Sequence, residues 1–149
     1  MTTTTTKDEA EIRELVTAQV AAMRERDAER IVARYTADVV LYDLAPPLRQ
    51  TTAYATDPER VRAWFEGFDG QIDYEVRDLE TTVGSDVAYA HSLNRVTATP
   101  HGSPESFTLW FRATYGLRKV DGDWRIAHEH ESTPFYMDGQ FGAAIDLEP

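Results

Sequence analysis

The side chains best suited to moving a proton near neutrality are the four histidines, because an unperturbed imidazole titrates close to pH 6.5. His128 and His130 stand two apart in a strand-like segment, which places both on one face of that strand. His91 lies within another such segment, and His101 sits beside Gly102 in a polar loop. Asp43 follows Val39 and Leu41 at alternate positions, just before Pro46 and Pro47, so its carboxylate is expected to point inward. From there it either orients a histidine, acts as a base itself, or caps the loop that follows. His91, His128 and His130 with Asp43 offer the ligand types of a metal site, but the two-apart histidines lie on strands and no His-Glu-x-x-His helix is present. No metal is therefore expected. The chain also has no Gly-rich phosphate loop, no Gly-x-Ser-x-Gly elbow and no dinucleotide fingerprint, so no cofactor is expected either.

Asp121-Gly122 is a favoured two-residue hairpin turn and proposes a register for the last two strands. With Val120 opposite Asp123, Leu117 falls opposite Ile126, Tyr115 opposite His128 and Ala113 opposite His130. Leu109, Phe111, Leu117 and Ile126 make this the covered face, and the other pairs Thr114 with Glu129 and Arg112 with Glu131. A one-residue slip or bulge would reverse the assignment. On this reading His128, Asp43, Tyr115 and His130 are the candidate chemical groups. Trp64, Phe68, His91, Phe111 and Ile126 are the candidate pocket wall.

The elements that must position these residues follow from periodicity. Residues 8–35 carry Ile12, Leu15, Val16 and Met23 at helical spacing, with a break near Arg24 that Asp27 can turn into a second helix start. Residues 38–43 read as a strand and 48–56 as a loop. Asp57-Pro58 opens a helix whose Val61, Trp64, Phe65 and Phe68 share a face. From Gln71 the period changes to two: residues 71–83, 87–99, 106–119 and 124–132 read as strands. Helices first and then a run of antiparallel strands give an α+β class.

The chain has 149 residues, enough for one core, and no cysteine, which excludes disulfides and thiolate chemistry. A net charge of -11 without a basic patch argues against nucleic acid or an anionic membrane as partner. The five threonines that follow Met1 form neither a signal peptide nor a spanning segment, and cytoplasm is the default expectation. Residues 1–7 are expected to be a disordered tail, 8–137 the domain and 138–149 a C-terminal tail.

Several strings resemble the SnoaL-like and ketosteroid-isomerase-like members of the nuclear-transport-factor-2-like superfamily. They are Asp38-Val-Val-Leu-Tyr-Asp-Leu-Ala-Pro-Pro47, Trp64-Phe-Glu-Gly-Phe68, Trp110-Phe-Arg-Ala-Thr114, and Gly122-Asp-Trp-Arg-Ile-Ala-His-Glu-His-Glu-Ser-Thr-Pro134. The resemblance implies a cone-shaped fold, a bent sheet wrapped around a long N-terminal helix, and dimers formed through the sheet. It also implies a range of activities: double-bond isomerisation, ring closure, dehydration, binding and scaffolding. No string matches the isomerase base motif or its tyrosine and aspartate oxyanion hole. His128 with Asp43 is the nearest equivalent of the histidine and aspartate of the cyclases. The leading expectation is a cofactor-independent isomerase, cyclase or lyase acting on a small apolar carbonyl compound by proton transfer. In that reading His128 or Asp43 is the base, and Tyr115 or His130 donates to the enolate oxygen. The alternative is a noncatalytic binding or association domain. The expected partners are a small apolar or aromatic molecule and a second copy of the chain, held through the outer sheet face around Trp110.

Overall fold

Asp8, Ile12, Val16, Gln19 and Met23 recur every three or four residues, so the first helix presents one buried stripe whose polar members, among the described residues, are Asp8 and Gln19. The computed structural model describes residues 3–149, with side chains from residue 5 onward. The first helix, α1, spans Thr3–Arg24, and α2 spans Ala28–Ala33 after Asp27, whose side chain accepts from the Arg30 backbone N–H at 3.2 Å. The helix begins at Thr3, within the segment 1–7 expected to be a tail, and Met1 and Thr2 lie outside the described residues. The modest helix propensity of threonine is a small cost once a long helix need only propagate.

Strand β1 is Tyr35–Tyr42, and a single helical turn, α3, occupies Thr52–Ala55 within the segment expected to be loop. Helix α4, Pro58–Glu66, begins as anticipated, with Asp57 accepting from the Glu59 N–H at 2.9 Å. The remaining strands are β2 (Phe68–Val83), β3 (Val87–Pro100), β4 (Phe107–Val120) and β5 (Asp123–Ser132). They form one curved, unclosed sheet in the order β1-β5-β4-β3-β2, antiparallel except where β1 runs parallel to β5.

The helices cover the inner face of this sheet. Ile12 and Val16 of α1 pack with Val39, Tyr115, Leu117 and Ile126 towards one end. Met23, Ile31, Val61 and Phe65 pack with Ile72 and Phe111 towards the other. Each fully buried aliphatic or aromatic side chain contributes about 1.5–3 kcal/mol. Trp124 anchors the first end by donating its indole N–H to Asp8 at 3.0 Å, and Lys119 reaches the same oxygen at 3.0 Å. No helix among the described residues is long and apolar enough to cross a membrane.

The decisive irregularity is in the last hairpin. Pairing runs from Val120 opposite Asp123 to Leu117 opposite Ile126, as the turn dictates, and then shifts by one residue. Beyond the shift Gly116 faces His128, Tyr115 faces Glu129, Thr114 faces His130 and Ala113 faces Glu131. The extra residue on β5 makes a bulge at Ala127, so every side chain after it changes face. The expected inward placement of His128 and His130 is corrected: Glu129 and Glu131 take the inner face. The expected Arg112–Glu131 pair is corrected with it, because Arg112 stands opposite Ser132 on the outer face.

Candidate functional site

Between the two packed ends lies a cavity of about 250 Å³, opening past Leu44, Tyr54 and Trp64. These rim residues are 39%, 45% and 41% exposed, while the floor residues Gln19, Arg34 and Tyr74 are 6%, 5% and 2% exposed. Apolar wall comes from Met23, Leu41, Val61, Val96 and Phe111. Set into it are three carboxyl groups, Asp43, Glu129 and Glu131, and two guanidinium groups, Arg34 and Arg60.

Each polar residue is carried there by a specific element. Arg34 follows α2, and its Nε donates to the Ile31 carbonyl at 3.2 Å. Its Nη2 lies 3.4 Å from Glu129 Oε1, and the Tyr35 hydroxyl donates to Glu129 Oε2 at 2.6 Å. The Glu129 carboxylate attracts the Arg34 charge strongly enough to offset burial, which alone would disfavour it. Burial pushes the Tyr35 and Tyr74 phenols well up, so both are neutral hydroxyls across the physiological range. Behind the floor a polar chain runs from Ser92 to Asn94 at 2.7 Å and from Asn94 to the hydroxyls of Tyr74 at 2.9 Å and Tyr115 at 3.1 Å. Gln19 Nε2 also donates to Tyr74, at 3.2 Å.

Glu131 differs from Glu129 in having no hydrogen-bond partner among the described residues. Burial against the cavity wall, reinforced by the negative charges of Glu129 and Asp43, pushes its carboxyl well above the usual glutamate range. Asp43 extends β1 beside it, with Oδ1 accepting from the Leu44 N–H at 2.7 Å and the other carboxyl oxygen available to a ligand. The cavity lining therefore holds one carboxyl group biased towards its protonated form, Glu131, together with a second carboxyl group, Asp43. Two carboxyl groups in one cavity can supply both a proton donor and a proton acceptor.

The SnoaL-like domain family model matches residues 12–136. The chain belongs to the SnoaL-like domain family. Among solved structures it is similar to an NTF2-like protein of unknown function from Pseudomonas putida, at 32% identity, covering 97% of this chain and 98% of that one with a TM-score of 0.82. More distant fold relatives include a protein titled putative scytalone dehydratase from Novosphingobium aromaticivorans, at 17% identity, full coverage of both chains and a TM-score of 0.79. Another is a ketosteroid isomerase-like protein from Erwinia carotovora atroseptica, at 23% identity, covering 83% and 93% with a TM-score of 0.67. None of the curated proteins matches the chain.

In this SnoaL-like domain the cavity gathers some of the residues singled out from the sequence and not others. Asp43, Trp64 and Phe111 line it. Tyr115 is fully buried behind the floor, where its hydroxyl meets Asn94, and Ile126 is core rather than wall. Phe68 packs edge-on against Trp64 at 4.7 Å between ring centres, outside the cavity lining. His128 and His130 lie across the sheet, both packed around the Tyr42 ring at 4.9 and 5.3 Å. His128 Nδ1 donates to the Val40 carbonyl at 2.8 Å. His91 is on the same outer face, 3.8 Å from Glu80, so no histidine reaches the cavity. Among the described residues no group of three or more histidine, aspartate or glutamate side chains is arranged to hold a metal ion.

Arg34, Glu129, Glu131 and Gln19 were not singled out. Gln19 carried a signal, since it interrupts the apolar stripe of α1. The glutamates carried none that the turn-based register could reveal.

Proposed function

We propose that this domain is a cofactor-independent isomerase, cyclase or lyase that moves a proton next to the carbonyl of a small, largely apolar compound. The observation that carries the reading is Glu131: an unpartnered, partly desolvated carboxyl in an apolar-walled cavity, beside a second carboxyl at Asp43. Asp43 takes the proton from the carbon beside the carbonyl, and the freed electron pair becomes the enol double bond as the carbonyl oxygen takes the Glu131 proton. Returning a proton to a different carbon completes an isomerisation. Expelling a β-hydroxyl, which leaves as water with the proton held by Asp43, completes a dehydration, and Glu131 recovers its proton from the enol. Arg60 lines the same cavity with a buried Nε that has no partner, a donor suited to the developing oxyanion.

The test is solvent deuterium exchange at the carbon next to the carbonyl of β-tetralone and related aryl ketones, followed by NMR. Exchange catalysed by the wild-type protein, lost in Asp43→Asn and Glu131→Gln and retained in His128→Gln, is the expected result. Ketone binding without exchange would instead assign a noncatalytic binding domain. The same reading includes a homodimer through the outer sheet face, supported by Trp110 with Arg77 stacked over its ring at 4.7 Å and by exposed Val87 and Tyr89.

A further inference from the structure

The floor of the cavity contains two polar atoms that the protein leaves without a partner: Arg34 Nη1 and Gln19 Oε1. Both belong to side chains more than nine-tenths buried, and both residues line the cavity. Their other polar atoms are committed. Arg34 uses Nε on Ile31 and Nη2 on Glu129, and Gln19 uses Nε2 on the Tyr74 hydroxyl. The guanidinium Nη1 can only donate and the amide Oε1 can only accept, yet the two do not satisfy each other. Stranded buried groups of this kind are costly and call for a partner that the chain itself does not supply.

The chemistry of that atom follows from the two vacancies. A carbonyl or ether oxygen accepts from Arg34 but gives Gln19 nothing. An ammonium donates to Gln19 but repels Arg34. A carboxylate accepts from Arg34 but faces the Gln19 oxygen and the nearby Glu129 without a proton to offer. A hydroxyl group accepts and donates at once and is neutral, so it answers both atoms. The cavity wall includes Met23, Ile31 and Val96 with the Tyr74 and Phe111 rings, an apolar lining that suits a ring.

We propose that the cavity binds a hydroxylated ring compound hydroxyl-first, with the ligand oxygen between Arg34 Nη1 and Gln19 Oε1. The statement that the opposite end of that ligand carries the reacting carbonyl rests on the proton-transfer reading above; the hydroxyl subsite does not. Asp43 and Glu131 line the same cavity, so a ring anchored by its hydroxyl at Arg34 and Gln19 shares that space with the two carboxyl groups.

The experiment uses three probes without a carbonyl: β-naphthol, naphthalene and β-naphthyl methyl ether. Binding is followed by NMR titration of the full chain, with the Gln19 side-chain amide signal as local readout. β-Naphthol is expected to bind about tenfold more tightly than either comparison compound, the discrimination of one good buried hydrogen bond, and to shift the Gln19 signal. Gln19→Leu is expected to bring the three affinities together, while Gln19→Glu, which keeps an acceptor, restores the preference. Thermal melting of both variants checks that they are folded. Equal affinities in the wild type, failure of β-naphthol to bind, or an undiminished preference in Gln19→Leu would overturn the proposal. Glu131→Gln should leave the preference intact. A hydroxyl preference without ketone exchange would therefore refute the catalytic reading alone, and exchange without the preference would refute the subsite alone.

Discussion

The Arg34–Glu129 pair should be worth much more when broken than when replaced. Both side chains are nearly inaccessible, at 5% and 3%, and the 3.4 Å separation is long for a charge-assisted hydrogen bond. Arg34→Met leaves a buried carboxylate held only by the Tyr35 hydroxyl at 2.6 Å. Removing one partner of a buried pair typically costs about 3–5 kcal/mol. For a chain of this length about 3 °C of melting temperature corresponds to each kcal/mol, so the variant should melt roughly 9–15 °C below wild type. Combining Arg34→Met with Glu129→Gln removes both charges, keeps an acceptor for Tyr35, and eliminates the unpartnered Arg34 Nη1. That double variant should return to within about 1 kcal/mol of wild type. Urea denaturation of the four proteins in a double-mutant cycle gives the coupling directly. A single Arg34→Met variant within about 1 kcal/mol of wild type, or strictly additive effects, would refute the reasoning.

Glu131 makes a pH prediction whose sign is fixed by its environment. Its folded-state pKa is raised, by burial and then by Glu129 and Asp43, so its contribution to stability is fully present below the unfolded value of about 4.3 and is lost as pH rises through the folded value. Glu131→Gln should therefore gain melting temperature over wild type progressively above that pH and then plateau; a difference constant from pH 4 to 9 would contradict it. The sheet-face dimer predicts a light-scattering mass of twice the 16.9 kDa chain at micromolar concentration, reduced to one chain by Trp110→Glu. A wild-type mass of one chain in moderate salt would remove that proposal.

What the sequence made legible divides along a physical line. Local signals predicted local structure well: Asp57-Pro58 caps α4, Asp27 caps α2, and Asp121-Gly122 closes the last hairpin. Family strings pointed to the fold. Asp43, Trp64 and Phe111 were placed at the cavity because each lies on an element whose period continues unbroken to it. The residues that were missed depend on long-range partners. Arg34 is one of many arginines in sequence, and only the bond from the Ile126 N–H to its carbonyl, at 2.8 Å, and the bulge beyond Ile126 make it a buried cation facing Glu129.

The reversal of β5 has a reason in that same pair. Residues 128–131 read His-Glu-His-Glu, so either choice of face directs two titratable groups inward and two outward, and alternation alone cannot choose. Without the bulge at Ala127 the inner face would receive His128 and His130, and Arg34 would be a buried cation without its carboxylate, a loss of several kcal/mol. With the bulge Glu129 meets both Arg34 and the Tyr35 hydroxyl. The outer face fits as well: the residue opposite His128 is Gly116, where an added Cβ would lie 3.3 Å from the His128 Cβ, so a larger residue would crowd the histidine. One unpaired residue is a small cost against an uncompensated buried charge. It also decides the chemistry available to the cavity, because it exchanges two imidazoles for two carboxyl groups, one structural at Glu129 and one free at Glu131.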